Sequence, residues 1–139
     1  MKFVFLFLLF ACSVDENKPD LFLKNYIEKR YEGSWTKDEI LERVGGKVKE
    51  EIVAMNESEL KEFLSMKKYK LSNVIIENQN CETDKCAITY VMKYITNDSE
   101  GKLASSEVKK VADLRKIDGK WIIFDVADIK TYHELRPNN

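Results

Sequence analysis

Asp125 is the acidic side chain whose neighbours in the sequence come closest to a catalytic setting. It lies in the stretch Val108 to Lys130, V-K-K-V-A-D-L-R-K-I-D-G-K-W-I-I-F-D-V-A-D-I-K, where two runs rich in β-branched and aromatic residues flank Asp118-Gly119. Asp-Gly favours a type I′ turn, because both central positions of that turn take positive φ. Pairing the runs about the turn sets Lys116 opposite Trp121, Leu114 opposite Ile123 and Ala112 opposite Asp125 on one face. The other face carries Arg115 with Ile122, Asp113 with Phe124 and Val111 with Val126. A carboxylate enclosed by apolar groups can work as a general base, whereas one at a sheet rim is simply solvated. Glu77, expected beside Tyr90 on a neighbouring hairpin, has the same two readings. Asp113, Arg115, Trp121, Asp125 and Tyr90 are therefore the candidate residues for a pocket or a partner surface, and no catalytic role is assigned to any of them.

Other chemistries lack their residues. His133 is the single histidine of the chain and falls in the expected C-terminal tail, which argues against a catalytic triad or a histidine-rich metal site. No glycine-rich phosphate loop and no H-E-x-x-H is present. Lys and Arg number 23 against 24 Asp and Glu, so the basic footprint of a nucleic-acid binder is missing. Charged residues alternate in sign along the chain, the pattern of a solvated surface. No metal and no cofactor is expected.

The elements that must position the candidates follow from periodicity. At 139 residues the chain is expected to form one domain with its own core. Pro19 suits the first turn of a helix, Leu23, Tyr26, Ile27 and Tyr31 recur at helical spacing, and Gly33 ends the run. Thr36 with Glu39 forms a capping box that opens a second helix, with an apolar stripe of Ile40, Leu41, Val44, Val48 and Ile52. Gly45-Gly46 interrupts that stripe and implies either a local break, which is preferred, or an unusually close neighbour. Asn56 with Glu59 opens a third helix carrying Leu60, Phe63 and Leu64. From Lys70 to Asn80 and from Cys86 to Thr96 the period becomes two, which predicts strands, and the hairpin at Asp118-Gly119 adds two more. Helices followed by a four-stranded antiparallel meander make an α+β fold with the helices on one face of the sheet. Thr131 to Asn139 is expected to fray.

The N-terminus carries a second signal. Met1-Lys2 precedes the wholly apolar run Phe3 to Phe10, which is too short to span a bilayer, since about 17 to 25 apolar residues are needed. Leu9-Phe10-Ala11-Cys12 resembles the bacterial lipobox, in which Leu three places before the cysteine and a small residue just before it mark a lipoprotein signal peptide. The resemblance implies cleavage between Ala11 and Cys12 and acylation of Cys12, which would tie the protein to a membrane through its lipid. With Cys12 so assigned, Cys81 and Cys86 remain as a pair, and an exported domain lets them form a disulfide. A metal site or redox dithiol is the alternative, but C-x4-C lacks the C-x-x-C spacing and a second ligand pair. Ser13 is not the aspartate that retains many lipoproteins at the inner membrane, so the outer membrane is favoured.

Three helices, a curved antiparallel sheet and a last hairpin reading Asp118-Gly119-Lys120-Trp121-Ile122-Ile123-Phe124-Asp125-Val126 resemble the nuclear transport factor 2-like superfamily, especially its small exported lipoproteins. The resemblance covers about Asp20 to Lys130 and implies a cystatin-like α+β cone. Its members include ketosteroid-isomerase-like enzymes, non-catalytic ligand binders and dimerisation modules, and no isomerase motif can be matched here. Both faces of the last hairpin carry large apolar groups, so a homodimer through the sheet, a pocket, or the long arms of Lys and Arg must cover the second face. The expected organisation is a signal peptide over 1–11, a lipid-anchored tether over 12–19, a cone domain over 20–132 and a tail over 133–139. The expected function is that of a non-enzymatic cell-envelope lipoprotein binding a small apolar ligand or a protein. The alternatives are a pocket enzyme using a lone carboxylate and a purely structural dimerising module.

Overall fold

The computed structural model describes residues 15–66, 69–97 and 100–135. The expected signal peptide, Cys12 and the end of the tail lie outside the described residues.

Four helices lead the chain. Helix α1, Pro19–Glu32, begins at its proline and is closed by Gly33, whose φ of 67° lets its N–H reach back to the Arg30 carbonyl. Helix α2, Lys37–Leu41, starts on the Thr36/Glu39 capping box, and α4, Glu57–Leu64, on the Asn56/Glu59 one. Between them the stripe expected as one helix is two, because the chain leaves helical geometry after Leu41 and re-enters it as α3, Gly46–Ala54. Both readings of the glycine pair hold at once. The break lets Arg43 to Gly45 run beside a strand, with Val44 bridged in parallel to Ile123. The glycines also lie against Phe124: a Cβ on Gly45 would stand 3.0 Å from its ring, and one on Gly46 2.6 Å.

The strands are β1, Tyr69–Cys81, β2, Lys85–Asn97, β3, Leu103–Ile117, and β4, Lys120–Leu135. They pair in chain order as an antiparallel, curved and unclosed sheet, so the α+β arrangement and the meander are as expected. The turn at Asp118-Gly119 has positive φ at both residues, 51° and 78°. The core fills the space between the sheet and the helices. Phe22, Leu23 and Ile27 come from α1, Ile40, Val44 and Ile52 from the next segments, and Ile88, Tyr90, Met92, Ala112, Leu114, Trp121 and Ile123 from the sheet.

Two expectations about β4 are overturned. The strand pairing runs as derived from Lys116–Trp121 to Leu114–Ile123, but there β4 carries a bulge, and Asp113 pairs with Asp125 and Ala112 with Val126. Phe124 is the extra residue, and its ring covers the glycine pair. One inserted residue moves everything beyond it to the opposite face. Asp125 thus leaves the Leu114–Trp121–Ile123 face and Val126 packs on the core in its stead. The second correction concerns the tail, because β4 continues in register through Leu135, so Thr131 to Leu135 are strand. The reason is the length of β3, which begins at Leu103 and gives each of these residues a partner.

Candidate functional site

The candidate residues divide between the two faces of the sheet. Asp113, Arg115 and Asp125 lie on the outer face, away from the helices. Arg115 Nη2 stands 3.4 Å from Asp113 Oδ2, and its guanidinium lies over the Phe124 ring at 4.8 Å. The Asp125 carboxylate accepts the N–H of Val126 at 2.9 Å. Further along this face Lys109 and Glu77 meet at 2.6 Å, bracketing Val91, which is only 5% exposed on a side with no helix over it. Lys93 and Glu107 add a pair at 3.6 Å. Long charged arms therefore cover the middle of the second apolar face. Glu77 does not accompany Tyr90 as expected. It is the bulged residue between the Ile76–Tyr90 and Asn78–Thr89 pairs and turns to the outer face.

Trp121 and Tyr90 lie on the helix side. The Trp121 indole N–H donates to the carbonyl of Asn17 at 2.9 Å, so the last residues of the expected tether are docked on the domain. Tyr90 is buried at the centre of the core face, and burial raises its phenol. Around it sits a group that periodicity did not single out. Arg30 is 7% exposed, donates to the Phe63 carbonyl at 2.9 Å and stacks on the Phe63 ring at 3.9 Å. Burial raises the Tyr26 phenol against the pull of Arg30, and Tyr31 is pushed up to about 12, first by burial and then by Tyr94 and Tyr69. Those last three rings form a triangle with centroids 5.5 to 6.4 Å apart. The signal for Arg30 was present, since residues 23, 27 and 30 lie on one helical stripe, and an arginine there must find partners when buried.

The far end of the sheet holds two more polar pairs on the helix side. Lys110 Nζ meets Asp128 Oδ1 at 2.9 Å, and buried Ser106 meets His133 Nδ1 at 2.6 Å. A hydroxyl beside an imidazole is two-thirds of a nucleophilic triad, yet no carboxylate among the described residues bonds His133. The pair is instead what adjacent strands produce, because Ser106 and His133 are direct cross-strand partners.

Cys81 and Cys86 are joined by a disulfide across the base of the β1–β2 hairpin. Three concavities open at the surface of the described residues. One of about 1010 Å³ opens between the end of α1, α4 and the start of β1, and is lined by Tyr31, Leu64, Tyr69 and Leu71. Another, about 250 Å³, adjoins Asn17, Arg43 and Trp121, and a third of about 260 Å³ lies by Lys93, Glu107 and Tyr132. Among the described residues no group of three or more His, Cys, Asp or Glu is placed to hold a metal ion, and no helix is long and apolar enough to cross a membrane. Comparison with protein-family models, with curated proteins and with solved structures returns no match for this chain.

Proposed function

We propose that this protein is a non-enzymatic, lipid-anchored component of the bacterial cell envelope, a nuclear transport factor 2-like cone that works through its surface on a protein partner. The observation that carries the surface reading is the filled interior. Leu23, Ile40, Ile88, Leu114 and Ile123 are at most 1% exposed and pack together between the sheet and the helices, where a pocket enzyme would need a cavity. Asp125, the lone carboxylate on which such an enzyme would depend, stands on the opposite face. A small apolar ligand would have room in the open groove by Tyr31, Tyr69 and Leu71.

The anchor reading rests on Leu9, Ala11 and Cys12, and the place of Asn17 sets which end of the domain such an anchor would hold. Covalent geometry keeps Cys12 within roughly 18 Å of Asn17, and Asn17 is tied to Trp121. A lipid on Cys12 would hold the Trp121 end of the sheet at the membrane and present the opposite end, with Tyr69, Leu103 and Glu134, to the compartment beyond. Ser13 favours the outer membrane. Fractionation of cells tests the proposal. The wild-type chain should sediment with membranes and resist extraction by salt, and Cys12→Ala should release it. A Cys12→Ala protein that remains in the membrane fraction at the wild-type level overturns the anchor.

A further inference from the structure

Strand β4 is the last strand of the sheet, and its outer edge is treated differently along its length. Near Ile123 the edge is closed. The Ile123 N–H donates to the Arg43 carbonyl at 3.0 Å, and the Gly45 N–H donates to the Ile123 carbonyl at 2.9 Å. From Ala127 to Glu134 every residue is exposed, and among the described residues nothing pairs with that edge. The two bulges of β4, at Phe124 and Ile129, both precede Lys130. From Lys130 to Leu135 the pairing with β3 is unbroken, leaving six consecutive residues with a regular open edge. The other sheet edge, β1, is interrupted by bulges at Ser72 and Glu77, the kind of interruption that discourages strand addition.

The open segment reads Lys130-Thr131-Tyr132-His133-Glu134, with Lys130, Tyr132 and Glu134 on the outer face and Thr131 and His133 on the other. This order is complementary to itself. Laid antiparallel on its own copy about Tyr132, it sets Lys130 opposite Glu134 twice, Tyr132 opposite Tyr132, and Thr131 opposite His133 on the reverse face. Neither Lys130 nor Glu134 has an ion-pair partner among the described residues; the Lys130 ammonium lies over the Tyr132 ring at 4.8 Å. Tyr132 is 52% exposed and Ile129 55%, large apolar groups that such a contact would cover. Centring the pairing on Lys130 would set that lysine against its copy, and centring it on His133 would oppose two imidazoles and leave Glu134 facing Tyr132. Only the Tyr132 register satisfies both charges.

We infer that β4 pairs with the β4 of a second copy of this chain, antiparallel and centred on Tyr132, so that two four-stranded sheets continue into one. The contact is isologous, as closed two-fold assemblies require, and its backbone ladder follows the strand-addition mode of recognition. It goes beyond the proposed anchoring and does not depend on it, because it uses the sheet end opposite Trp121.

The test uses the full-length chain in detergent, with mass read by native mass spectrometry and sedimentation over a dilution series. The wild type should be dimeric, and Cys12→Ala equally so. Lys130→Glu and Glu134→Lys, each of which turns two attractive oppositions into two repulsive ones, should each weaken the dimer about ten-fold or more. The double variant Lys130→Glu/Glu134→Lys restores the complementarity and should return to within about three-fold of wild type. Tyr132→Cys should cross-link to itself under mild oxidation, since directly opposed residues have Cβ atoms about 4.5–5.5 Å apart, whereas Lys130→Cys, distant from its own copy in this register, should not. The wild type under the same oxidation controls for Cys12, and circular dichroism checks that each variant is folded. A monomer at all concentrations, a dimer indifferent to both single reversals, failure of the double reversal to restore it, or cross-linking of Lys130→Cys as readily as Tyr132→Cys overturns the inference. So does recovery of the edge paired with a different protein.

Discussion

Tyr26, Tyr31 and Tyr90 keep their phenols neutral because burial, their largest influence, penalises the phenolate. The sign of the linked stability follows. The folded state holds these protons more tightly than the unfolded chain, so their contribution is fully present below the ordinary tyrosine value near 10 and is lost as pH rises, for Tyr31 through about 12. Urea unfolding midpoints measured from pH 8 to pH 11 should fall above pH ~10, and over that range the phenolate absorbance of these tyrosines should rise with unfolding and not before it. Phenolate signals from buried tyrosines in a still-folded protein would contradict this. At this scale the sequence was only partly legible. The inward stripe that includes Arg30 could be seen, but its partners Tyr26 and Phe63 come from packing. Asp125 was misplaced for a sharper reason: face assignment in a strand depends on parity, and the single extra residue Phe124 reverses it.

Among the elements, the segment between α2 and α3 is fitted to β4 at one point. Gly46 has a φ of 49° and a hypothetical Cβ 2.6 Å from Phe124 Cδ1, so alanine there strains the backbone and meets the ring as well. Gly46→Ala should destabilise the protein by about 1–3 kcal/mol. In a Phe124→Ala background the ring clash is gone, and the further loss should shrink to what the positive φ and the Phe124 carbonyl, 3.2 Å from the same Cβ, impose, about 1 kcal/mol. Denaturant midpoints for the four proteins of this cycle would check it, and strict additivity would show that the ring and the glycine do not interact. The local signals for elements were strong: both capping boxes, the proline start and glycine stop of α1, and the Asp-Gly turn depend on residues a few positions apart. The clamp of Arg43 to Gly45 on Ile123 joins residues some eighty positions apart and leaves only a suggestive glycine pair in the sequence.

For the molecule as a whole, the sheet is a strict meander, so each strand finds its partner immediately before or after it in the chain. Only short turns have to close for the sheet to form, whereas α1 meets β1 and β4 across much longer separations. Refolding should therefore begin in the strands. Ile88→Val, in the middle of the sheet, should slow refolding, while Leu23→Ala, in α1, should mainly speed unfolding; stopped-flow chevrons would separate the two. If Leu23→Ala slowed refolding as much as it cost stability, the helix would belong to the nucleus. The same topology sets a timetable for a chain made amino end first. Helix α1 is complete at Glu32, but the surface it must cover is finished only when Leu135 has followed. At about 5–20 residues per second that interval is roughly 5–20 s. Until the β1–β2 hairpin has emerged Phe22, Leu23 and Ile27 have no sheet to rest on, and until β4 follows their cover is incomplete, which makes the nascent protein a client for any holdase that grips short apolar helices.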